Sequence, residues 1–273
     1  MSILNKRGKS MKILKDMFNR RTSKVKDIAY YGITDTGKQR DKNEDSYLLM
    51  PEAGIYVVAD GMGGHNAGEI ASVNTIKVIK DYFNNGIISS MRQNRNTVSE
   101  NLKRAVLMAH NEIIDLSQQE IGHNGMGSTI ALSFIYNNIL HTCHVGDSRV
   151  YVINDTGITQ ITSDHSTVAE LVQSGKMTSE EARLSPLKNQ ITQAVGTPLI
   201  IEPEYNHTYR LKKDDMILLC SDGLWDMLSD NQIYIIVNRG KTLEKICKDL
   251  VYMANDAGGD DNITIVLLKI KTN

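Results

Sequence analysis

Four times in this sequence, carboxylates gather where a short apolar stretch runs out: Asn43-Glu44-Asp45, Asp60-Gly61-Met62-Gly63-Gly64, Ser221-Asp222-Gly223 and Gly259-Asp260-Asp261-Asn262. Any one Asp-Gly pair is ordinary turn chemistry. Four acidic clusters at strand ends constrain the chain much more tightly, because clustered carboxylates repel one another unless a cation lies between them. Glycine beside the acid lets backbone approach closely, and oxygen ligands of this kind suit hard cations such as Mg²⁺ or Mn²⁺. Two such ions about 3.5–4 Å apart can share a nucleophilic hydroxide and stabilise an in-line displacement at phosphorus.

The stretches between the clusters are short and of both kinds. Residues 28–34, 46–50, 54–59, 128–135, 139–145, 149–153, 207–211, 215–220 and 263–270 read as strands, bounded by Gly, Pro, Asn or Asp. Of these, 128–153 reads as an antiparallel meander, turned at Tyr136-Asn137-Asn138 and Gly146-Asp147-Ser148. Helical spacing of Ile70, Val73, Ile76, Ile79 and Phe83 predicts a helix over 67–83. Further helices are predicted over 98–116, 231–237 and 242–255, with a surface connection at 84–97. Residues 164–197 are polar and only partly helical, at 167–174 and 179–183, which predicts a flap leaving the sheet. Strands and helices come in runs, so an α+β fold is expected and not a doubly wound one.

Charge divides the chain in two. Residues 1–27 hold nine Lys/Arg against Asp16 and Asp27, a net of +7, and the remainder carries −8. A basic tail on an acidic body suits cation binding better than nucleic-acid binding. Met11, Leu14 and Phe18 share a helical face edged by Lys12, Lys15 and Arg20, the pattern of a segment that docks on an anionic membrane surface or an acidic partner. A plain solubilising leader has the same composition. Cys143, Cys220 and Cys247 lie far apart behind no secretory signal, and the longest apolar runs fall far short of the roughly 20 residues that span a bilayer. A cytoplasmic protein, and a monomer, is the expectation.

Several motifs occur in a fixed order: Gly37-Lys-Gln-Arg40-Asp-Lys-Asn43-Glu44-Asp45, Val58-Ala-Asp60-Gly61-Met62-Gly63-Gly64-His65, Gly127-Ser128-Thr129, Val145-Gly146-Asp147-Ser148-Arg149, Asp164-His165-Ser166, Cys220-Ser221-Asp222-Gly223-Leu224-Trp225-Asp226 and Asp260-Asp261-Asn262-Ile263-Thr264. Together they resemble the type 2C metal-dependent Ser/Thr protein phosphatases, above all the bacterial branch. The resemblance covers roughly residues 28–271, one catalytic domain with its flap at about 164–197. It implies a central antiparallel β-sandwich flanked by α-helices on both outer faces, with metals at one edge. It also implies that Asp60 bridges two Mn²⁺ or Mg²⁺ ions, that Gly61 gives its carbonyl to one, and that Asp222 and Asp261 complete the other. Glu44 and Asp45 would act through water. Asp147, with Asp222, would build a third and weaker site, and Arg40 would grip the substrate phosphate, for which a guanidinium fork is suited. The implied partners are phosphoprotein substrates and a Ser/Thr kinase whose work the enzyme opposes.

One position departs from the animal members of that family. Where they carry a histidine proposed as general acid, this chain has Met62, whose thioether cannot donate a proton. His65 is the nearby alternative, with helix entry as its plainer role, and His165 reads equally as a structural residue at the flap base. Two rival functions stand beside the metal reading. One is a scaffold of the same fold that binds phosphoproteins without turnover, although every metal carboxylate is present. The other is a cysteine-dependent phosphatase built on Cys143-His-Val-Gly146-Asp-Ser-Arg149, which has the Cys-x-x-Gly-x-x-Arg spacing but places Asp147 inside the phosphate cradle.

Overall fold

A computed structural model describes residues 28–64, 67–119, 123 and 125–272. The basic segment 1–27, to which both the docking and the solubilising-leader readings belong, and His65 lie outside the described residues.

Two antiparallel sheets form the centre. One has the order β1 (Ile28–Asp35), β11 (Ile263–Ile270), β10 (Met216–Cys220), β7 (Arg149–Asn154) and β8 (Gly157–Gln160). The other runs β2 (Asp45–Met50), β3 (Ile55–Met62), β5 (Ile130–Tyr136), β6 (Ile139–Val145) and β9 (Glu204–Arg210), with the short β4 (Gly127–Ser128) paired to the end of β3. Helices α1 (Ala67–Tyr82), α2 (Asn85–Gln93) and α3 (Asn96–Gln119) cover the second sheet. Helices α6 (Asp222–Trp225), α7 (Asp230–Val237) and α8 (Leu243–Asp256) cover the first. The flap carries α4 (Thr167–Gln173) and α5 (Ser179–Leu184).

The period-2 alternation of strand side chains explains the layering. Tyr56 and Val58 of β3 meet Ile217, Leu219, Val266 and Leu268 between the sheets. Their neighbours Ile55 and Val57 face outward onto Ile79, Leu102 and Val106 of the helices. Leu218, Cys220, Ile265 and Leu267 likewise point out onto Ile233, Ile246 and Leu250. With both faces covered, these strands read as continuous apolar runs.

Two expectations are corrected. Residues 84–97 are not a plain connection: Asn84 caps α2 by accepting from the N–H groups of Gly86 and Ile87, and only Ile88 and Met91 of that helix are buried. Two apolar anchors in nine residues leave too little periodicity to see. Nor is 128–153 a three-stranded meander. β5 and β6 pair as a hairpin, but β7 crosses to the other sheet and pairs with β10 and β8. The link Gly146-Asp147-Ser148 spans the roughly 10 Å between stacked sheets, so it places Asp147 at the edge of the sandwich. Gly146 has φ +99°, and a Cβ there would meet Thr129 at 2.7 Å, so glycine is required at this crossing.

Candidate active site

The strand ends deliver the carboxylates to one edge of the sandwich. Asp45 opens β2 and Asp60 lies near the end of β3, and the two are direct cross-strand partners. Asp222 is the first residue of α6, two residues beyond the end of β10, and Asp261 lies two residues before the start of β11. Asp45, Asp222, Asp147 and Asp261 all act electrostatically on Asp60. Glu44 and Arg40 stand at the rim of the same cluster, where the Arg40 guanidinium donates to Asp261 Oδ2 at 2.6 Å. Every carboxylate expected from the sequence is therefore in this one neighbourhood.

Several are held by neighbours whose role the sequence did not disclose. Thr129 returns two bonds to Asp60: its Oγ1 accepts the Asp60 N–H at 3.2 Å, and its own N–H donates to the Asp60 carbonyl at 2.8 Å. Ser221 Oγ donates to Asp45 Oδ2 at 2.7 Å and is itself fixed by the Thr264 N–H at 3.0 Å. Asn262 ties the loop that carries Arg40 to β11. Its Nδ2 donates to the carbonyls of Thr36 and Lys42, both at 2.8 Å, and its Oδ1 accepts the Glu44 N–H at 2.7 Å. An amide is the one side chain with donors and an acceptor for all three bonds.

Glycines let the backbone close in. A Cβ on Gly61 would collide with the Gly68 carbonyl, and one on Gly68 would meet Glu44 Oε2 at 2.7 Å, so α1 begins in direct contact with the acidic edge. Asp147 is clamped from the other side. Trp225 Nε1 donates to its carbonyl at 3.0 Å, Arg149 stacks on the Trp225 ring at 3.6 Å, and Arg149 grips Asp164 with Nε at 3.0 Å and a terminal nitrogen at 2.6 Å. Lys188 of the flap reaches Asp226 at 2.7 Å, which fastens the flap beside α6.

The electrostatics are those of a site built for cations. Burial, then repulsion from Asp45 and Asp222, holds the Asp60 carboxyl well above the ordinary range. Asp147 is raised in the same way, by burial and Asp222. Burial pushes Asp45 up to about 7, helped by Asp222 and Asp261 and opposed by hydrogen bonds from Ser221 and Thr264. Asp222 is pushed up to about 6 by burial and Asp261. Asp45 Oδ1 and Asp222 Oδ1 are buried with no hydrogen-bond partner, a condition that costs a carboxylate its solvation and gives nothing back. Divalent cations supply what these oxygens lack, so the residues fit the metals implied by the sequence.

The cysteine alternative fails on geometry. Cys143 is buried in the core between β6 and the helices, burial pushes its thiol up to about 12, and Arg149 is committed to Asp164. A thiol so protonated is no nucleophile at neutral pH. Met62 pairs with Gly127 in the β3–β4 bridge, a backbone role.

Against known proteins, residues 38–265 match the family described as Protein phosphatase 2C. This chain belongs to that family. It is 36% identical over 241 residues to "Protein phosphatase PhpP" of Streptococcus pneumoniae, covering 87% of this chain and 96% of the relative. The serine/threonine phosphatase of S. agalactiae has a similar structure, with a TM-score of 0.82 at 34% identity, over 89% of this chain and all of the other. A PstP catalytic domain solved with two manganese ions superposes with a TM-score of 0.78 at 32% identity, over 89% of this chain and 98% of that one. The family's α+β fold, two antiparallel sheets with helices, is the fold described above. Among the described residues, no helix is long and apolar enough to cross a membrane.

Proposed function

We propose that this chain hydrolyses phosphoserine and phosphothreonine esters of proteins with two divalent cations, Mn²⁺ or Mg²⁺, and so opposes a Ser/Thr kinase. The observation that carries this reading is the gathering of Asp45, Asp60, Asp147, Asp222 and Asp261 at one edge, with Asp45 and Asp147 buried and Asp45 Oδ1 and Asp222 Oδ1 left without a hydrogen-bond partner, beside the half-exposed Arg40. Asp60 and the Gly61 carbonyl would hold the cations together with Asp222 and Asp261. Glu44 and Asp45 would act through water, and Asp147 with Asp222 would form a weaker third site. Bound there, a cation pair lowers the pKa of water and stabilises charge on the phosphoryl oxygens.

The protein's own residues supply the rest. Arg40 faces the cluster from its rim, where a guanidinium pairs two oxygens of a phosphoryl group at once. Its bond to Asp261 keeps it aimed before substrate arrives. Asn262 fixes the Arg40 loop against β11, so binding and the carboxylates share one rigid frame. Met62 has no proton to give, so the leaving alkoxide is protonated by another donor.

The test is hydrolysis of a phosphothreonine peptide by the full chain, with Mn²⁺ and after chelation. Turnover is expected only with metal, and to be unaffected by Cys143→Ser. Full activity in chelator, lost in Cys143→Ser, would overturn the reading.

A further inference from the structure

A second group of ligand-type side chains lies outside the aspartate cluster, where the flap joins the sandwich. His144 and Glu204 are cross-strand partners on β6 and β9. His165, at the start of the flap, stacks on His144 with ring centroids 4.7 Å apart. One ring nitrogen from each histidine and one Glu204 oxygen lie within 4.8 Å of one another.

The details favour a cation over an ion pair. His165 Nε2 is 3.7 Å from Glu204 Oε2, too far for a hydrogen bond. Two ligands about 2.1 Å from a shared tetrahedral ion are about 3.4 Å apart, close to that gap. His144 Nε2 lies 2.7 Å from the Ser163 carbonyl, which can only accept, so Nε2 carries the proton and Nδ1 keeps its lone pair. A backbone carbonyl that fixes the tautomer in this way is the usual support of a metal-binding histidine. Burial, then the neighbouring His144, lowers the His165 pKa, which keeps the ring neutral, the form that ligates.

We propose that His144, His165 and Glu204 form a regulatory site for a borderline-soft ion such as Zn²⁺, separate in place and in ligand chemistry from the all-oxygen catalytic edge. Imidazole nitrogens select zinc or cobalt over Mg²⁺ and Mn²⁺. Loading has a consequence for the catalytic edge. In the metal-free protein His165 Nδ1 accepts the Gly146 N–H at 3.3 Å, so the ring proton is on Nε2. A cation can bind Nε2 only when the ring proton leaves that nitrogen for Nδ1, and the bond from Gly146 to Nδ1 then opens. Gly146 is the residue before Asp147, so an occupied site loosens the turn that presents Asp147 and slows turnover.

The binding claim is tested by adding Co²⁺ to the full chain in excess Mg²⁺, which keeps the oxygen sites filled. One equivalent is expected to give the intense visible absorption of four-coordinate nitrogen-ligated cobalt, bleached by one equivalent of Zn²⁺. Affinity is expected to fall at least about tenfold in Glu204→Gln and in His144→Gln, whose amide can still donate to Ser163. Glu204 is partly exposed, so its variant tests the site without disturbing the core. A spectrum showing only faint six-coordinate cobalt, or wild-type affinity retained in both variants, overturns the site. The inhibitory consequence rests on the phosphatase reading: Zn²⁺ slows phosphoester turnover several-fold in the wild type and not in Glu204→Gln. Zinc bound without slowing overturns the coupling to Gly146.

Discussion

At the scale of single residues, the candidate site stores repulsion that its cations would relieve, and this sets a pH signature. Asp45 and Asp222, raised to about 7 and about 6, keep their protons in the folded metal-free protein where the unfolded chain has lost them. The folded state therefore binds more protons between about pH 4 and pH 7, and metal-free stability falls as pH rises through that window, on the order of a few kcal/mol in all. Thermal melts in chelator are expected to show this fall, and Asp45→Asn to flatten it. With Mn²⁺ the sign reverses, since the ligands must be deprotonated to bind. Arg40→Ala is expected to raise KM for a phosphopeptide by about 10- to 100-fold, the value of a charge-assisted bond, with a smaller change in kcat. An unchanged KM would contradict its assignment to phosphate. Asp147→Ala is expected to lower kcat about tenfold or more while calorimetry still detects the tight metal pair; an unchanged kcat would leave Asp147 a turn residue.

At the scale of elements, what was legible followed from local pattern. Carboxylates at the ends of β2, β3 and β10 and before β11 could be placed because each strand is a short apolar run with turn residues behind it. What could not be read was the partner of each run. Nothing within 128–153 says that β7 leaves its neighbour β6 for β10, because Val150 and Val152 are as apolar as residues that stay in the hairpin. The supports of the site were hidden for the same reason: Asn262 reaches Thr36 and Lys42, more than two hundred residues away. Arg149 was legible as a member of the Val145–Arg149 motif and of a misleading cysteine spacing but not as a clamp, yet it joins β7 to Asp164 at the flap base and stacks on Trp225, which holds Asp147. Arg149→Lys keeps the charge but loses the fork and the stacking. It is expected to cost about 1–3 kcal/mol in urea unfolding, and also to lower kcat through Asp147. A stability loss with full kcat would separate the clamp from catalysis.

At the scale of the whole molecule, three apolar layers, one between the sheets and one under each set of helices, hold the strand ends in register around the acidic edge. Leu218 lies fully buried under the helices on β10, in the strand that leads to Asp222. Leu218→Ala is expected to cost about 2–5 kcal/mol, while the fraction that stays folded keeps its KM. The central claim is that the clustered aspartates hold cations that drive phosphoester hydrolysis. It is tested most directly by the rate of phosphate release from a phosphothreonine peptide as Mn²⁺ is titrated into the wild type and into Asp60→Asn, a variant of nearly the same shape. The account predicts a saturable requirement for Mn²⁺ in the wild type and a loss of at least about 100-fold in Asp60→Asn at every metal concentration. A wild-type rate independent of Mn²⁺, or an Asp60→Asn rate equal to it, would contradict the account.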